Sequence, residues 1–249
     1  MYYIASFSGG KDSTAMVLKL IQLNYPLDEI VFYDNGMEFK STYNVVKYIF
    51  SVAKNHDIKC TTLTCPYGFL YKAFDKVVNH RDGTIGNGYS WCGGICRWGT
   101  TDKLTYIDKY CQNKNAKCYV GIAFDEQKRL EKERKAYKLF PMADWKMSET
   151  QALQYCYEKG INWNEPTNLT ESGYIDLYTI LDRVSCWCCA NKNLYELRNI
   201  WFYLHDTYWQ KLKEFQSKTD RPMKKKGSVF ELEKLFENGY KPRHILKLP

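Results

Sequence analysis

Short apolar runs alternate with segments of helical periodicity along the first part of the chain. Met1 to Phe7 is an apolar run that ends before glycine, which predicts a buried strand, and Ser13 to Leu23 carries apolar residues at helical spacing. The pattern repeats with a strand over Glu29 to Tyr33, a helix over Ser41 to Lys54 and a strand over Lys59 to Leu63. Alternating strands and helices predict an α/β fold with a doubly wound, mostly parallel sheet.

The pattern is less regular further along the chain. Asn79 to Gly94 is rich in glycine and polar residues, which predicts a loop, whereas Thr101 to Tyr110 predicts a helix and Lys117 to Ile122 a strand. Asp125 to Lys138 is so densely charged that it must face solvent or a partner. Ser148 to Lys159 begins with the residues of a capping box and therefore predicts another helix.

The chain changes character at about residue 162. Asn162 to Asp176 is loop-like, and Leu194 to Phe215 predicts one long helix that is rich in aromatic residues. We therefore predict two units. Residues 1–161 form the α/β domain, and residues 162–249 form a cysteine-containing loop and a C-terminal helical appendage that packs on it.

The composition is that of a globular protein. With 249 residues and 45% hydrophobic positions, the chain can fill a core. It shows no signal segment and no run of the roughly 18 apolar residues that a membrane span requires, so we expect a cytoplasmic protein without a membrane partner. The net charge of +8 suits a polyanion such as nucleic acid, although a lysine-rich solvated surface produces the same value.

The segment A-S-F-S-G-G-K-D-S-T, which follows the first apolar residues, predicts an anion site. Backbone N–H groups at a helix N-terminus attract phosphate, and Gly9 and Gly10 let that backbone approach the phosphate oxygens. Lys11 adds a positive charge, and Asp12 can orient Lys11 or help to hold Mg²⁺. Hydroxyl groups come from Ser8, Ser13 and Thr14. The alternative is a strand-to-helix turn with polar residues placed by chance.

The part S-F-S-G-G-K-D-S-T of this segment resembles the PP-loop of the adenine nucleotide alpha-hydrolase superfamily. V-F-Y-D-N-G-M-E-F, from Val31 to Phe39, is similar to the V-F-x-D-T-G-x-E-F signature of the phosphoadenosine phosphosulfate (PAPS) reductase family within it. Further segments resemble that family in the same order along the chain: R-W-G-T-T-D-K at residues 97–103, G-I-A-F-D-E at 121–126, L-F-P-M-A-D-W at 139–145 and R-V-S-C-W-C-C at 183–189.

The resemblance implies a set of site residues. The nucleotide-binding candidates are Ser6, Ser8, Gly9, Gly10, Lys11, Asp12, Ser13, Thr14, Asp34 and Gly121. Lys11, Asp12 and Ser13 are the catalytic candidates among them. Asp34 follows a strand and can hold the ribose or a metal, although D-N-G is also a turn sequence. The substrate-binding candidates are Arg97, Lys103, Asp125 and Glu126, and for the first two ordinary surface charge is the alternative.

Departures from the family pattern favour ATP as the nucleotide. Gly99 stands where many relatives have cysteine, and Ala123 stands where many have arginine. The C-terminal segment that supplies the catalytic thiol of sulfonucleotide reductases has no counterpart here, since no cysteine follows Cys189. The loop keeps its full S-G-G-K-D-S sequence, whereas many reductases have an altered loop. We therefore expect ATP with Mg²⁺, with PAPS as the alternative substrate.

Two short-spaced groups of cysteines predict a metal centre. Cys92 and Cys96 form a C-x3-C pair, and residues 186–189 read C-W-C-C. The predicted ligands are Cys92, Cys96, Cys186 and Cys189, with Cys188 as a substitute, and they suit either Zn²⁺ or a 4Fe-4S iron-sulfur cluster. Reduced cysteines packed in the core are the alternative. The remaining cysteines are interpreted as core residues, with attention to Cys65 near a strand end.

These observations lead to one predicted function and two alternatives. The prediction is an enzyme that cleaves ATP between its α and β phosphates to adenylylate an acceptor in sulfur transfer. The alternatives are a sulfonucleotide reductase that uses an external thiol, and a non-catalytic nucleotide-binding subunit of a sulfur or DNA-modification complex. Nucleic acid, a sulfur-donor protein and a second copy of the chain are the candidate partners.

Overall fold

The computed structural model describes residues 1–79, 83–91, 96–132 and 135–242, and for residues 97 and 98 it describes the backbone alone. The candidate metal ligand Cys92 lies outside these ranges, as does part of the loop predicted over residues 79–94.

The described residues form one main sheet and two small hairpins. The strands are Tyr2–Phe7 (β1), Glu29–Asp34 (β2), Lys59–Thr64 (β3), Val77–Asn79 (β4), Ile85–Asn87 (β5), Ala116–Val120 (β6), Lys138–Leu139 (β7), Asn164–Pro166 (β8) and Tyr174–Asp176 (β9). The main sheet has the order β3-β2-β1-β6-β7, and all of its neighbouring strands are parallel. The predicted α/β fold is confirmed.

The order of the sheet places a ligand-binding edge beside β1. The chain adds β2 and β3 on one side of β1 and then returns to add β6 and β7 on the other side. Ligands of open α/β sheets bind outside the carboxyl ends of the strands, where the strand order reverses. The loop that contains Gly9 and Gly10 follows β1 directly and therefore lies at this position.

Helices connect and cover the strands. They are Lys11–Gln22 (α1), Lys40–Lys54 (α2), Gly68–Leu70 (α3), Lys103–Asn113 (α4), Gln127–Lys132 (α5), Pro141–Asp144 (α6), Glu149–Glu158 (α7), Leu177–Ile180 (α8), Leu194–Tyr203 (α9), Gln210–Gln216 (α10) and Val229–Glu237 (α11). Three π-helical turns cover Tyr71–Asp75, Arg97–Asp102 and His205–Trp209.

The prediction of one uninterrupted helix from Leu194 to Phe215 is wrong. The backbone of Leu204 leaves the helical region, with φ −126° and ψ 32°, and a π-helical turn separates α9 from α10. The irregular turn lets Tyr208 and Trp209 face the core together. Apolar spacing alone does not reveal such a break, because both helices carry aromatic residues at helical intervals.

Apolar side chains cover both faces of the main sheet. One cluster contains Phe7 and continues to the C-terminal helices, where Trp209 and Leu232 are fully buried. A smaller cluster on the other face joins Ile4 to Ile107 of α4. The region after residue 162 therefore shares its core with the sheet.

Within the residues that the structure describes, no helix has the length and apolar character to cross a bilayer.

A buried carboxylate anchors one side of the sheet. Glu29, the first residue of β2, is fully buried. Its carboxylate accepts hydrogen bonds from Lys114 Nζ at 2.7 Å, from Tyr110 Oη at 2.8 Å, from Tyr2 Oη at 3.1 Å and from the Thr61 hydroxyl. Burial raises the pKa of Glu29, but the hydrogen bonds led by Lys114 outweigh it and lower the pKa to about 2.

Replacing Glu29 with glutamine should lower the free energy of unfolding at neutral pH by about 2–3 kcal/mol. The ionised Glu29 stabilises the fold fully above its ordinary pKa of about 4.5, and this contribution is lost as the pH falls toward about 2. Urea unfolding between pH 7 and pH 3 measures both effects. The wild type should lose more stability over this range than Glu29→Gln, and the exposed Glu171→Gln is the control. Equal stability of Glu29→Gln and wild type at neutral pH would contradict the assignment.

Candidate functional site

The loop after β1 turns at Gly9, in a conformation that favours glycine. Gly9 has φ +75°, and a Cβ at this position would lie 2.7 Å from Thr42 Cγ2 of α2. Its carbonyl accepts a hydrogen bond from Trp163 Nε1 at 2.8 Å. The loop backbone is therefore held between α2 and the start of the C-terminal region.

The N-terminus of α1 follows this loop. Gly10 is the N-cap residue and offers no side chain to satisfy the N–H groups of the first turn. The N–H of Lys11 donates to the hydroxyl of Tyr178 at 2.8 Å. The Ser13 hydroxyl accepts from the N–H of Ser8 at 3.1 Å and donates to the Gly10 carbonyl at 3.1 Å. The serine hydroxyls thus hold the shape of the loop.

Two of the predicted nucleotide-binding residues, Ser6 and Thr14, are placed differently from the residues of the loop itself. Ser6 belongs to β1 and pairs with Val31 on one side and Val120 on the other. Thr14 is fully buried, and its hydroxyl makes no hydrogen bond to any residue that the structure describes. The remaining predicted positions, Ser8 to Ser13, form the loop and the first turn of α1.

Lys11 forms the charged centre of the loop. Its side chain is nearly buried, and Nζ lies 2.8 Å from Asp12 Oδ1 and 2.6 Å from Glu149 Oε2. Burial lowers the pKa of Lys11, but the two carboxylates outweigh it and raise the pKa above the ordinary value, so the ammonium stays charged. Burial also raises the pKa of Asp12, against the effect of Lys11, and the charges of Glu149 and Glu126 add to this rise.

Glu149 and Tyr178 contact the loop although nothing in the loop sequence points to them. Glu149 is the first residue of α7, and its N–H donates to the carboxylate of Asp125 at 3.0 Å. Tyr178 belongs to α8, and burial raises its pKa well above the ordinary value. Their neighbours in sequence give no spacing motif that identifies either residue.

The end of β6 reaches the same place. A Cβ on Gly121 would lie 3.0 Å from both Cα and N of Ser13, so only glycine allows this approach. Glu126 accepts a hydrogen bond from the N–H of Ala123 at 3.4 Å and pairs with Arg129. The predicted residues Asp125 and Glu126 therefore lie beside the loop, where Asp125 caps α7.

Asp34 ends β2 and shapes the next turn. Its Oδ1 accepts hydrogen bonds from the N–H of Gly36 and from the Tyr43 hydroxyl, both at 2.7 Å. D-N-G therefore forms a turn that the Asp34 carboxylate holds. The same residue also lines a cavity, so its carboxylate stands at the edge where ligands of this fold bind.

Some of the predicted metal ligands come together. The sulfurs of Cys96 and Cys186 lie 3.3 Å and 3.8 Å from the position that a Cβ on Gly99 would occupy. Burial raises the pKa of the thiols of Cys186 and Cys188 well above the ordinary value. Across the described ranges, no three histidine, cysteine or acidic side chains are placed to hold a metal ion. The predicted metal centre stays a prediction, because Cys92 is not among those residues.

Polar and charged groups surround Cys186. Asn35 Nδ2 donates to its sulfur at 2.9 Å, and Glu38 Oε1 lies 3.7 Å away from the sulfur. Burial lowers the pKa of Lys103, and the nearby charges of Glu38 and Cys186 oppose this effect. Lys103 is therefore close to the cysteine segment. The side chain of Arg97 lies outside the described part of the chain.

The other cysteines divide by burial. Cys111, Cys118 and Cys156 are buried, as their interpretation as core residues predicts. Cys60, the second residue of β3, and Cys65, which directly follows β3, are partly exposed.

Two neighbouring cavities meet at the turn that follows β2. The first has a volume of about 330 Å³ and lies at the carboxyl ends of β2 and β3, and the second has a volume of about 410 Å³ and lies against the C-terminal helices. They share three wall residues, Gly36, Met37 and Leu70. Neither cavity is lined by residues of the loop itself.

Comparison with known proteins supports the resemblance in the N-terminal part. Residues 2–74 match the phosphoadenosine phosphosulfate reductase domain. Uncharacterized protein MJ0973 of Methanocaldococcus jannaschii is 25% identical over 219 residues, which cover 84% of this chain and 47% of that protein. Uncharacterized protein MJ0066 of the same organism is 26% identical over 204 residues, which cover 79% of this chain and 38% of that protein.

The chain thus spans less than half the length of these curated relatives. The domain match covers β1, the glycine-containing loop, α1 and the next two strands, which together form one side of the ligand-binding edge. Over residues 2–74 the chain is therefore similar to the phosphoadenosine phosphosulfate reductase domain.

Proposed function

We propose that this protein binds ATP with Mg²⁺ and cleaves the bond between the α and β phosphates, which adenylylates an acceptor in a sulfur-transfer reaction. The observation that carries the proposal is the loop at the N-terminus of α1. Its glycine backbone and a nearly buried, charged Lys11 lie where the strand order reverses. Such a site suits a pyrophosphate group.

The residues of the loop take distinct roles in this reaction. An acceptor oxygen attacks the α phosphorus, the bond to the bridging oxygen breaks, and pyrophosphate leaves with the electron pair. The first-turn N–H groups of α1 and the Lys11 ammonium stabilise the charge that develops on the leaving group. The Tyr178 hydroxyl accepts a hydrogen bond from the N–H of Lys11. The hydroxyl proton of Tyr178 is therefore available to donate to a phosphate oxygen.

The carboxylates around Lys11 fit a hard cation. Asp12 and Glu149 both contact Lys11 Nζ, and carboxylate oxygens are the ligands that Mg²⁺ prefers. These two residues would hold Mg²⁺ that arrives with the triphosphate, and Lys11 would then be released to the phosphates. Mg²⁺ would supply further neutralisation of the phosphate charge.

The cysteine segment fits a soft cation. The sulfurs of Cys96 and Cys186 converge at Gly99, and buried thiols whose pKa is raised gain most from a cation that stabilises the thiolate. Cys96 and Cys186 would hold Zn²⁺ or an iron-sulfur cluster together with Cys92 and Cys189, with Cys188 as a substitute. Such a centre would supply sulfur ligation or redox chemistry next to Lys103.

One alternative function has a specific observation in its favour. The domain that matches residues 2–74 is a PAPS reductase domain, so a sulfonucleotide is the competing ligand. A reductase would need a thiol to attack the sulfonyl sulfur, and the full S-G-G-K-D-S loop suits the β and γ phosphates that PAPS does not carry. This comparison favours ATP.

Competition between ATP and PAPS for anaerobically purified protein tests the proposal. We expect ATP to bind more tightly, in a manner that depends on Mg²⁺, and pyrophosphate to be released when RNA or DNA acceptors are added. Tighter binding of PAPS, with no effect of Mg²⁺, would overturn the proposal in favour of sulfonucleotide reduction. ATP binding without release of pyrophosphate for any acceptor would favour a non-catalytic subunit.

A further inference from the structure

The cavity at the carboxyl ends of β2 and β3 contains a thiol. Cys65 follows β3 directly and lines this space of about 330 Å³ together with Asp34 and Asn35 from the end of β2. Among the described residues that line it, Cys65 is the single cysteine. The thiol therefore faces a space large enough for a ligand and has no cysteine beside it in the cavity wall with which to form a disulfide.

Charged and polar groups of two other elements surround this thiol. Lys72, in the π-helical turn after α3, pairs with Asp102, the last residue of the π-helical turn before α4. The Tyr106 hydroxyl of α4 lies 3.9 Å from Cys65 Sγ. Tyr33, Asp34, Tyr67 and Tyr71 are further titratable residues that line the cavity, as does Asp102. Lys72 and Asp102 are both largely shielded from solvent, and of the two it is the positive charge of Lys72 that favours the thiolate of Cys65.

These groups favour the thiolate form. Burial raises the pKa of Cys65, but hydrogen bonds from the backbone at Tyr67, from Lys72 and from Tyr106 outweigh it and lower the pKa below the ordinary value. Cys60, which belongs to β3 itself, differs because burial raises its pKa. The cavity thiol is therefore the more nucleophilic of the two.

Cys65 lies at the same edge of the sheet as the loop after β1. The thiol and the loop can therefore act in one site. β3 is separated from β1 by β2 alone, and Phe7 at the end of β1 is level with Thr62 of β3 through Phe32 of β2. Cys65 lies three residues beyond Thr62, so two strand spacings and this offset place it about 14 Å from the end of β1. The walls of the cavity that Cys65 faces include Met37, Phe69 and Leu70. Part of the space that Cys65 faces is therefore lined by apolar side chains.

We propose that Cys65 is the thiol that receives sulfane sulfur from a persulfide donor, with Lys72 and Tyr106 as positioning residues. The Cys65 thiolate attacks the outer sulfur of a persulfide R–S–SH. A new S–S bond forms while the S–S bond of the donor breaks, and the donor leaves as the thiolate R–S⁻ with the electron pair. The proton stays on the transferred sulfur. The use of this sulfur rests on the sulfur transfer proposed above, whereas the reactivity of the thiol does not.

The transfer of one sulfur atom to Cys65, called loading below, can be measured with inorganic tetrasulfide as the probe. A thiolate takes one sulfur atom from tetrasulfide, and trisulfide leaves. The full chain is treated anaerobically, excess probe is removed, persulfides are alkylated, and peptides are identified by mass spectrometry. We expect Cys65 to gain one sulfur about ten times faster than Cys60 at neutral pH. Equal loading of both residues, or no loading of Cys65, would overturn the proposal.

Substitution of the positioning residue separates a chemical role from a structural one. Lys72→Met should slow the loading of Cys65 about tenfold at neutral pH and move the alkylation profile of Cys65 to higher pH. Lys72→Arg keeps the positive charge and should restore both values. Cys65→Ser should abolish the labelled peptide, and Cys60→Ser should leave the loading of Cys65 unchanged. An unchanged pH profile in Lys72→Met would contradict the role of Lys72.

The result distinguishes this inference from the proposed function. Mg²⁺-dependent ATP binding together with an unlabelled Cys65 would overturn the inference alone. Rapid loading of Cys65 in a protein that prefers PAPS would support the thiol site and overturn the ATP assignment alone.

Discussion

Replacing Lys11 with methionine should lower the rate of ATP cleavage between the α and β phosphates by about 100-fold or more. The Lys11 ammonium is nearly buried at the N-terminus of α1, and its interaction with phosphate grows as charge develops on the leaving pyrophosphate. The variant should also weaken triphosphate binding by about 1.5–3 kcal/mol, the usual contribution of a charge-assisted contact. Release of pyrophosphate and equilibrium binding of ATP measure the two effects separately.

A matched control lies on the same helix. Lys19 belongs to the last turn of α1, and its ammonium lies 5.2 Å from the centroid of the Trp145 ring. Lys19→Met removes the same charge from the chain without touching the loop, so its rate should stay close to that of the wild type. If Lys11→Met cleaves ATP as fast as Lys19→Met, the loop is not the pyrophosphate site.

Replacing Trp163 with alanine should lower the free energy of unfolding by about 3–5 kcal/mol and also weaken nucleotide binding. Trp163 is fully buried, its Nε1 donates to the Gly9 carbonyl at 2.8 Å, and its ring meets that of Tyr178 edge-on at 4.9 Å. The substitution therefore leaves a cavity and releases both the loop and the tyrosine that contacts Lys11. Urea unfolding and ATP titration measure the two consequences.

Two further variants separate packing from loop position. Trp163→Phe keeps an aromatic ring in the core but removes the N–H that donates to the Gly9 carbonyl. It should therefore weaken ATP binding even though most of the packing is kept. Trp201→Ala removes a half-buried ring of α9 that packs on Phe236, away from the loop, and should affect stability without affecting ATP binding. An ATP affinity that is unchanged in both Trp163 variants would show that the C-terminal region does not position the loop.

The site joins two parts of the chain that the sequence divides. The boundary predicted at residue 162 follows a real change in composition, and Trp163 and Tyr178 lie just beyond it. Both residues nevertheless contact the loop, and Cys186 receives a hydrogen bond from Asn35 at the end of β2. We therefore propose that the two predicted units act together at one edge of the sheet, with the first supplying the anion site and the second holding it.

The sequence by itself determined the α/β architecture and the identity of the residues that form the loop. Strand and helix periodicity are local patterns, and the residues from Ser8 to Ser13 are consecutive, so their chemistry can be recognised without knowledge of the fold. The order of the segments similarly favoured the parallel sheet, whose reversal point lies beside β1. Even the turn formed by Asp34 follows from its own short sequence.

Only the tertiary structure decided what surrounds Lys11 and Cys65. Glu149, Trp163 and Tyr178 contact the loop across 138, 154 and 167 positions of the chain. Cys65 meets Tyr106 across 41 positions, and the cavity that Cys65 lines is formed by the ends of β2 and β3 together with α3. Such contacts depend on how the elements pack, and no local pattern encodes them. The same reason explains the break at Leu204, because a helix bends where its neighbours require it rather than where its spacing changes.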